Sequence, residues 1–497
     1  MASPINKHAN AKRVFYSRFD GGLNLAQSPE TLSRNELHEA KNVEIAPLTG
    51  KLKVRGGLVW INTISSANNR SFERTAPVQG SNVLLFQFIK DGVRTLGYYD
   101  YQVLWEVSGT LTGSDDVSAV IWDDVILIAS GGRLQKLTQE GGAYKLTTIS
   151  GSPSVCHYVF VRSGRVGVVS DDDTIRFSYV GDCTQWSNNP DDESTGQFIQ
   201  IGYKDGMDIN AVIPMSKDLI IFKSPANNPD SGIIWRLVGD FPNWVVVEAA
   251  HNTGTFSQRS VQVVGNDVFY IAGVGLSTLG SVTEYGEIKT SWPDRKVSNA
   301  LTELITSAAE LWHIPLKQQL WLLPSYNDEK IWVFDYIRGV WTNFIFPTLP
   351  DYVSELNGKV LVFIDDEIYE LNDFYTVDKM KSGDEKIMAK IKLGAILTAR
   401  QVLVKAGYAT YETQPEVVAK LLIGKYKLPL KFRGSTDYIY DDEDIVYEDY
   451  DSLFNTGDDV MTSRARFMVR NWVIVPEVEI TGGGFSLSTI GLETAEV

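Results

Sequence analysis

Asp123-Asp-Val-Ile-Leu-Ile-Ala-Ser-Gly-Gly-Arg-Leu-Gln-Lys-Leu-Thr138 contains, once, the device from which the fold is read. An acidic pair turns the chain, an apolar run follows, a Gly-Gly turn ends it, and a second strand begins. The same device recurs with runs beginning at Val83 (VLLFQF), Val125 (VILIAS), Val166 (VGVVS), Leu219 (LIIFKS), Val268 (VFYIAG), Leu320 (LWLLP) and Val360 (VLVFID). Their spacings are 42, 41, 53, 49, 52 and 40 residues. The mean, about 46, suits a four-stranded propeller blade. Partner strands follow at Thr95–Tyr99, Leu134–Thr138, Thr174–Tyr179, Ile233–Val238, Lys330–Tyr336 and Glu367–Leu371, with outer strands at Tyr144–Ile149 and Trp244–Glu248. Strands buried between neighbouring blades need both faces apolar, so runs rather than strict alternation are expected. The reading is an all-β chain with a β-propeller of six to eight blades over residues 78–375. One helical stretch, about Val297 to Ala309, interrupts it.

Around this core stand two further parts. Residues 1–77 read as an N-terminal arm. Phe15 to Leu25 is a strand with a Gly-Gly turn, and strand Phe15–Phe19 is a candidate for closing the propeller. Ser33-Arg-Asn-Glu36 has the form of a capping box opening a short helix, about Arg34 to Lys41. Residues 376–497 lose the period but keep strand-like runs at Ile387–Leu393, Gln401–Ala406, Val417–Leu422, Arg466–Val475 and Phe485–Ile490, which read as a C-terminal β-sandwich-like domain. It carries an acidic insertion at 434–463.

Composition agrees. In 497 residues, 43% are hydrophobic and 22% charged, with Gly 41, Tyr 22, Phe 21 and Trp 12. Such a chain can bury a large core without staples, which excludes bulk disorder, collagen and coiled coil. Cys156 and Cys183 are too few for a disulfide framework or a zinc site and suit a reducing compartment. No apolar h-region opens the chain, and no apolar run approaches the length of a membrane span. The net charge of −16 argues against a protein that coats DNA. The charge is uneven. Residues 1–60 hold nine Lys/Arg and five Asp/Glu, net +4; residues 376–433 hold twelve against five, net +7; residues 434–463 hold ten acidic residues and no Lys or Arg, net −10. Faces of different charge imply different neighbours. The interaction residues expected from this are Lys425, Lys427 and Lys431 on the basic side and Asp441, Asp442, Glu443 and Asp444 on the acidic side.

Catalytic chemistry has little to stand on. Five scattered histidines form no metal-binding spacing, and no nucleophile-elbow or phosphate-loop motif appears. His157 and His313 read as core histidines. Gly273-Val-Gly-Leu-Ser-Thr-Leu-Gly280 reads as a turn. Carboxylate pairs at Asp115–Asp116, Asp123–Asp124, Asp171–Asp173, Asp191–Glu193 and Asp365–Glu367 are the form glycoside hydrolysis requires, but turn chemistry accounts for them more simply. Phe177-Ser-Tyr-Val-Gly-Asp-Cys-Thr-Gln-Trp186 is a scrambled form of the sialidase Asp-box. Asp171-Asp-Asp173 and Asp441-Asp-Glu-Asp444 lack calcium-loop spacing. The expectation is no enzyme, no cofactor and no metal.

Several segments in order carry a family resemblance. Phe19-Asp-Gly-Gly-Leu-Asn24, the Leu-Ser-Arg-Asn-Glu-Leu stretch, Ala40-Lys-Asn-Val43 and Val54-Arg-Gly-Gly57 come first. Ile175-Arg-Phe-Ser178 with Gly181-Asp182 and Trp186, then Asp218-Leu-Ile-Ile-Phe-Lys223, Ile234-Trp-Arg-Leu-Val-Gly239, Thr253-Gly254, Arg259-Ser260 and Val268-Phe-Tyr-Ile-Ala-Gly273 follow. Together they resemble the tail hub, or nozzle, of short-tailed phages, the packaged-DNA-stabilisation type of β-propeller, over residues 15–375. The resemblance implies a hexameric ring in the virion tail, below portal and adaptor. Such a ring extends the DNA channel, retains packaged DNA, and docks fibres or a plug; DNA passes its lumen without specific binding. The departures are Gly181-Asp-Cys-Thr184 and the acidic segment at 437–459. Two other readings compete. One is a receptor- or carbohydrate-binding phage propeller, with Trp186, Trp235, Trp292 and Trp341 stacking sugars. The other is a propeller glycosidase.

Overall fold

A computed structural model describes residues 12–64, 70–78, 83–99, 104–189, 191–215, 218–226, 228–282, 287–291, 293–325, 327–414, 416–431 and 461–496. Each of the seven apolar runs becomes the second strand of a blade, from Leu84–Lys90 in blade 1 to Lys359–Ile364 in blade 7. Most are buried along nearly their whole length, as in Gln319–Leu323 and Asp267–Ala272. The first strands are Arg70–Pro77, Ser118–Trp122, Val159–Arg162, Asp208–Met215, Val261–Val264, Glu310–Ile314 and Tyr352–Leu356. These innermost strands contact each other in sequence, and Tyr352–Leu356 meets Arg70–Pro77, so seven blades close a ring.

Closure uses a strand from the arm. Gly57–Thr63 pairs antiparallel with Glu367–Asn372 and becomes the outer strand of blade 7, although it precedes blade 1 in sequence. Of the expected closing element Phe15–Phe19, residues 15–17 belong to strand Lys12–Ser17, which pairs instead with Ser486–Glu496. Aromatic packing seals the last seam, where Phe86 of blade 1 meets Phe363 of blade 7 edge-on at 5.4 Å. Other seams hold separate apolar clusters, such as Phe160, Phe177, Ile221 and Leu237 between blades 3 and 4. Tight hairpins set the registers. Asp91-Gly92 and Asn357-Gly358 have positive φ at both positions, the geometry that matches strand twist in two-residue turns.

Residues 36–41 are strand, not helix. Half of the capping box is present: the Ser33 N–H donates to Glu36 Oε2 at 3.2 Å. The contact serves a turn, because Leu37 and Ala40 are buried against strand Met388–Leu393, which pairs with Glu36–Lys41. Tertiary pairing overrides the local helix signal. The expected helix at 297–309 shrinks to Ser298–Thr302, with Leu301 buried and Leu304 and Ile305 packed on the core.

Beyond blade 7, Met388–Leu393, Pro476–Thr481, Val418–Ile423 and Tyr426–Leu430 form one layer with Glu36–Lys41. Ile396–Glu412, Met461–Ile474 and Ser486–Glu496 form the other, with Lys12–Ser17, Val43–Ile45 and Leu52–Val54. Val14, Tyr16, Leu421, Val478, Leu487 and Leu492 belong to the cluster between them, and it continues to Trp332 and Trp341 of blade 6. Arm and C-terminal segment thus build one sandwich, joined to the propeller.

Arg55 ties the joint. Its Nε donates to Asn42 Oδ1, Nη1 to the Gly56 carbonyl and Asp378 Oδ1, and Nη2 to the Ile345 carbonyl and Asp378 Oδ2, at 2.7–3.1 Å. All five guanidinium donors are used. The pair is 1% and 2% exposed, and the Arg55 guanidinium lies 4.3 Å from the centroid of the Phe346 ring.

Candidate functional site

A polar cluster gathers where the innermost strands begin, at one mouth of the propeller channel. Asp115 and Asp116 precede Ser118–Trp122 of blade 2; His157 and Tyr158 precede Val159–Arg162 of blade 3. Arg259 precedes Val261–Val264 of blade 5, Glu310 opens Glu310–Ile314 of blade 6, and Asp351 precedes Tyr352–Leu356 of blade 7.

Arg259 spans the channel. Its Nε lies 2.9 Å from Asp116 Oδ2 of blade 2, and its Nη1 lies 3.3 Å from Glu310 Oε1 of blade 6. Blades 2 and 5 are not neighbours in the ring, so the contact crosses its axis. The backbone under Arg259 is pinned. The Val212 N–H donates to Gln258 Oε1 at 2.8 Å and Gln258 Nε2 donates to the Val212 carbonyl at 3.2 Å. Glu310 is 3% exposed by side chain and also accepts from Trp312 Nε1 at 3.0 Å. His157 Nδ1 lies 2.6 Å from Asp115 Oδ2, both partly exposed, so His157 is a rim residue and not the expected core histidine. His313 is half-buried as expected, and burial lowers its pKa to about 4.

Burial, then the neighbouring Asp115 and Asp116, pushes the Tyr158 hydroxyl up to about 12. Asp351 is raised to about 6, chiefly by burial, with Asp365, Asp366 and Glu310 adding to it against a backbone hydrogen bond from Asp365. The mouth is therefore a cross-braced acidic ring around one guanidinium. It can hold cationic groups, and among the described residues it presents no cluster of three metal-ligating side chains.

Other carboxylate pairs serve turns. Asp123 and Asp365 occupy left-handed positions at φ 52 and 53. Asp173 Oδ2 accepts the Lys204 N–H, and Asp192 Oδ1 accepts the Ser194 N–H and hydroxyl. Glu367 accepts from Trp60 and Thr63 of the closing strand. The Asp-box-like segment closes on itself, Thr184 donating to Asp182 and Trp186 to the Cys183 carbonyl. Residues 273–280 form the turn and third strand of blade 5, with the Gly273 N–H donating to Asp230. Among the proposed sugar-stacking residues, Trp341 is fully buried, Trp186 and Trp235 are half-buried, and Trp292 lies outside the described residues.

Lys425, Lys427 and Lys431 lie on and beside the edge hairpin of strands Val418–Ile423 and Tyr426–Leu430. All three are exposed and form no ion pair among the described residues. Neighbouring charges are paired in a ladder across the same layer, with Lys420 on Glu479 at 2.9 Å and Lys390 and Lys392 between Glu39 and Glu477. Asp441, Asp442, Glu443 and Asp444 lie outside the described residues.

No protein-family model and no curated protein matches the chain. Solved structures do. BamB from Moraxella catarrhalis is 12% identical, with a TM-score of 0.37 over 66% of this chain and 93% of that one. The WD40 β-propeller domain of Doa1 is 14% identical, with a TM-score of 0.39 over 63% and 96%. A puromycin-hydrolysing peptidase of Mycobacterium tuberculosis is 9% identical, with a TM-score of 0.39 over 68% and 61%. At these identities the likeness is one of fold.

Proposed function

We propose that this chain is a structural virion protein of a tailed phage. It is the subunit of a hexameric tail nozzle that extends the DNA channel below portal and adaptor, retains packaged DNA, and docks fibres or a plug. The observation that carries this reading is the charge arrangement. A chain of net charge −16 leaves one lysine row without ion pairs among the described residues, on an edge hairpin away from the propeller channel. A DNA conduit must avoid salt-sensitive phosphate contacts along its wall, and net negative charge repeated around a lumen does so. A lysine row on the sandwich is then free for protein contacts. The ordered segments that resemble the phage family add support, since they fall on the arm–sandwich joint and on blades 3, 4 and 5.

The propeller's own channel is no part of the DNA path, because Arg259 braces it. The role proposed for the protein needs no catalysis. The test is localisation. Gold labelling of a tag on this chain in purified particles is expected at the tail below the portal. Label on the capsid shell or at distal fibre tips overturns the reading.

A further inference from the structure

Four blades have outer edges covered by this chain itself. Leu104–Ser108 of blade 1 pairs with Ala143–Thr148 of blade 2, Val340–Phe344 of blade 6 meets Glu36–Lys41, and Gly57–Thr63 of blade 7 meets Val377–Met380. Among the described residues, blades 3, 4 and 5 are sheets of four strands that pair no further. The outer strand of blade 4, Val245–His251, is the most apolar of these edges. Val245 and Val247, on its blade 5 side, are 54% and 39% exposed, and the strand carries neither Lys nor Pro, although Glu248 and a register shift beside it interrupt the edge. Edges left to solvent are ordinarily blunted by such residues. Phe198 on the outer strand of blade 3 is 52% exposed but turns to the blade 2 side, where Arg176, its cross-strand neighbour, lies over its ring. A cleft of about 320 Å³ joins blades 3 and 4, lined by Val180, Glu193, Asp240, Phe241 and Trp244 among others. Arg162 and Arg165 lie in its floor and donate to backbone carbonyls.

The mouth of this cleft carries Val180, 54% exposed, and is ringed by acid. Residues 159–251 hold thirteen Asp/Glu against seven Lys/Arg, net −6. Asp191, Asp192 and Glu193 are exposed and form no ion pair among the described residues. The sandwich packs on blades 5 and 6, and its edge hairpin has the opposite character. Residues 418–431 hold four lysines and no acidic residue, net +4, around an exposed Val418. This second edge is blunted, since Lys427, Pro429 and Lys431 discourage strand addition. Its side chains, rather than its backbone, remain to make a contact.

We infer that the outer face of blades 3 and 4 receives the Val418–Leu430 hairpin of a second copy of this chain. Val418 packs on Val180 and Phe241 at the mouth of the cleft, and Lys425, Lys427 and Lys431 meet Asp191, Asp192 and Glu193. Two different surfaces of one subunit are used, so the contact is heterologous and propagates until it closes. The inference deepens the ring reading above and rests on it.

Three full-length variants test the contact: K425E/K427E/K431E, D191K/D192K/E193K, and the two combined. Sedimentation and negative-stain imaging read assembly at concentrations up to the millimolar range. Carbodiimide cross-linking of mixed light and heavy isotope-labelled protein reads which lysines meet which carboxylates between copies. Each single reversal is expected to weaken self-association about tenfold or more, and the combined swap to restore it to within about threefold. The two single variants, mixed, are complementary at both contacts between unlike copies and should co-assemble in alternation, although neither assembles alone. V180S should weaken association with melting unchanged. The inference is overturned by single reversals that assemble like wild type, by a folded combined swap that stays dissociated, or by wild type without cross-links between these groups. Tail labelling that persists in that case leaves the virion reading standing and removes only this interface.

Discussion

Removing Arg55 should release the strand that closes the propeller. Its guanidinium joins the arm at Asn42, the exit of blade 6 at Ile345, and Asp378. Asp378 Oδ1 also accepts the Leu58 N–H of the closing strand, at 2.9 Å. In R55M the Asp378 carboxylate, 2% exposed, keeps that N–H and loses both charged donors. Breaking one partner of such a buried pair costs about 3–5 kcal/mol, because the remaining charge is stranded. Two backbone carbonyls, of Gly56 and Ile345, lose donors as well. The cost should be local first. Hydrogen–deuterium exchange of residues 57–63 should accelerate about 100-fold or more before global unfolding changes by the same amount. R55M/D378L, which removes both charges, should recover at least half of the loss, since well-packed apolar replacements of buried pairs are often neutral. A loss under about 1 kcal/mol in R55M, or a double variant as unstable as the sum of its singles, would refute the argument that this pair holds the closing strand.

Asp351 carries a pH signature. Its folded pKa of about 6 lies above the ordinary carboxylate value, so the stability tied to its protonated form is full below about pH 4 and is lost as the pH rises through 6. D351N should therefore melt higher than wild type at pH 7.5, by up to about 3 kcal/mol, with the gap closing below pH 5; a gap independent of pH in calorimetry would contradict this. R259M takes the guanidinium away from buried Glu310 and should cost about 2–4 kcal/mol by urea unfolding, of which R259M/E310Q regains about half. Neutralising Asp441, Asp442, Glu443 and Asp444 to Asn or Gln should lower particle incorporation, more so at low salt. Normal incorporation with slowed DNA release would assign them to the DNA path instead.

The second strand of every blade was legible because it packs on two neighbours and must be apolar on both faces. The innermost strands were not. Ser118–Trp122 and Tyr352–Leu356 are five residues long and mix polar with apolar positions, so no periodic signal rises above the turns around them. The arm misled for a related reason. Leu37 and Ala40 are three apart, as on a helix face, but their burial comes from strand Met388–Leu393, some 350 residues later in the chain. The closing strand was readable in principle, because Leu58-Val-Trp-Ile61 follows a Gly-Gly turn and is the most strand-like run of the arm. Asp115–Asp116 was singled out as a pair, but Arg259, Glu310 and Asp351 were missed. Their signal is positional: each stands at or within three residues of the start of an innermost strand, which aligning the repeats on their first strands would have exposed. The charge imbalance of the C-terminal segment did single out Lys425, Lys427 and Lys431, although not the acidic face on blades 3 and 4.

The pairing of Lys12–Ser17 with Ser486–Glu496 has a consequence for how the molecule is made. Thr494 donates its hydroxyl to the Lys12 carbonyl across a sequence separation of 482 residues. At ordinary elongation rates of 5–20 residues per second, the first strand waits roughly 25–100 s for its partner to leave the ribosome. Gly57–Thr63 waits for about 310 residues before Glu367–Asn372 can receive it. Blades 1 to 6 can condense during that interval, while the arm's unpaired edges remain open to other nascent chains. Truncated or stalled products of this gene should therefore aggregate through the arm, and slowing translation late in the message should lower the yield of soluble protein more than slowing it early.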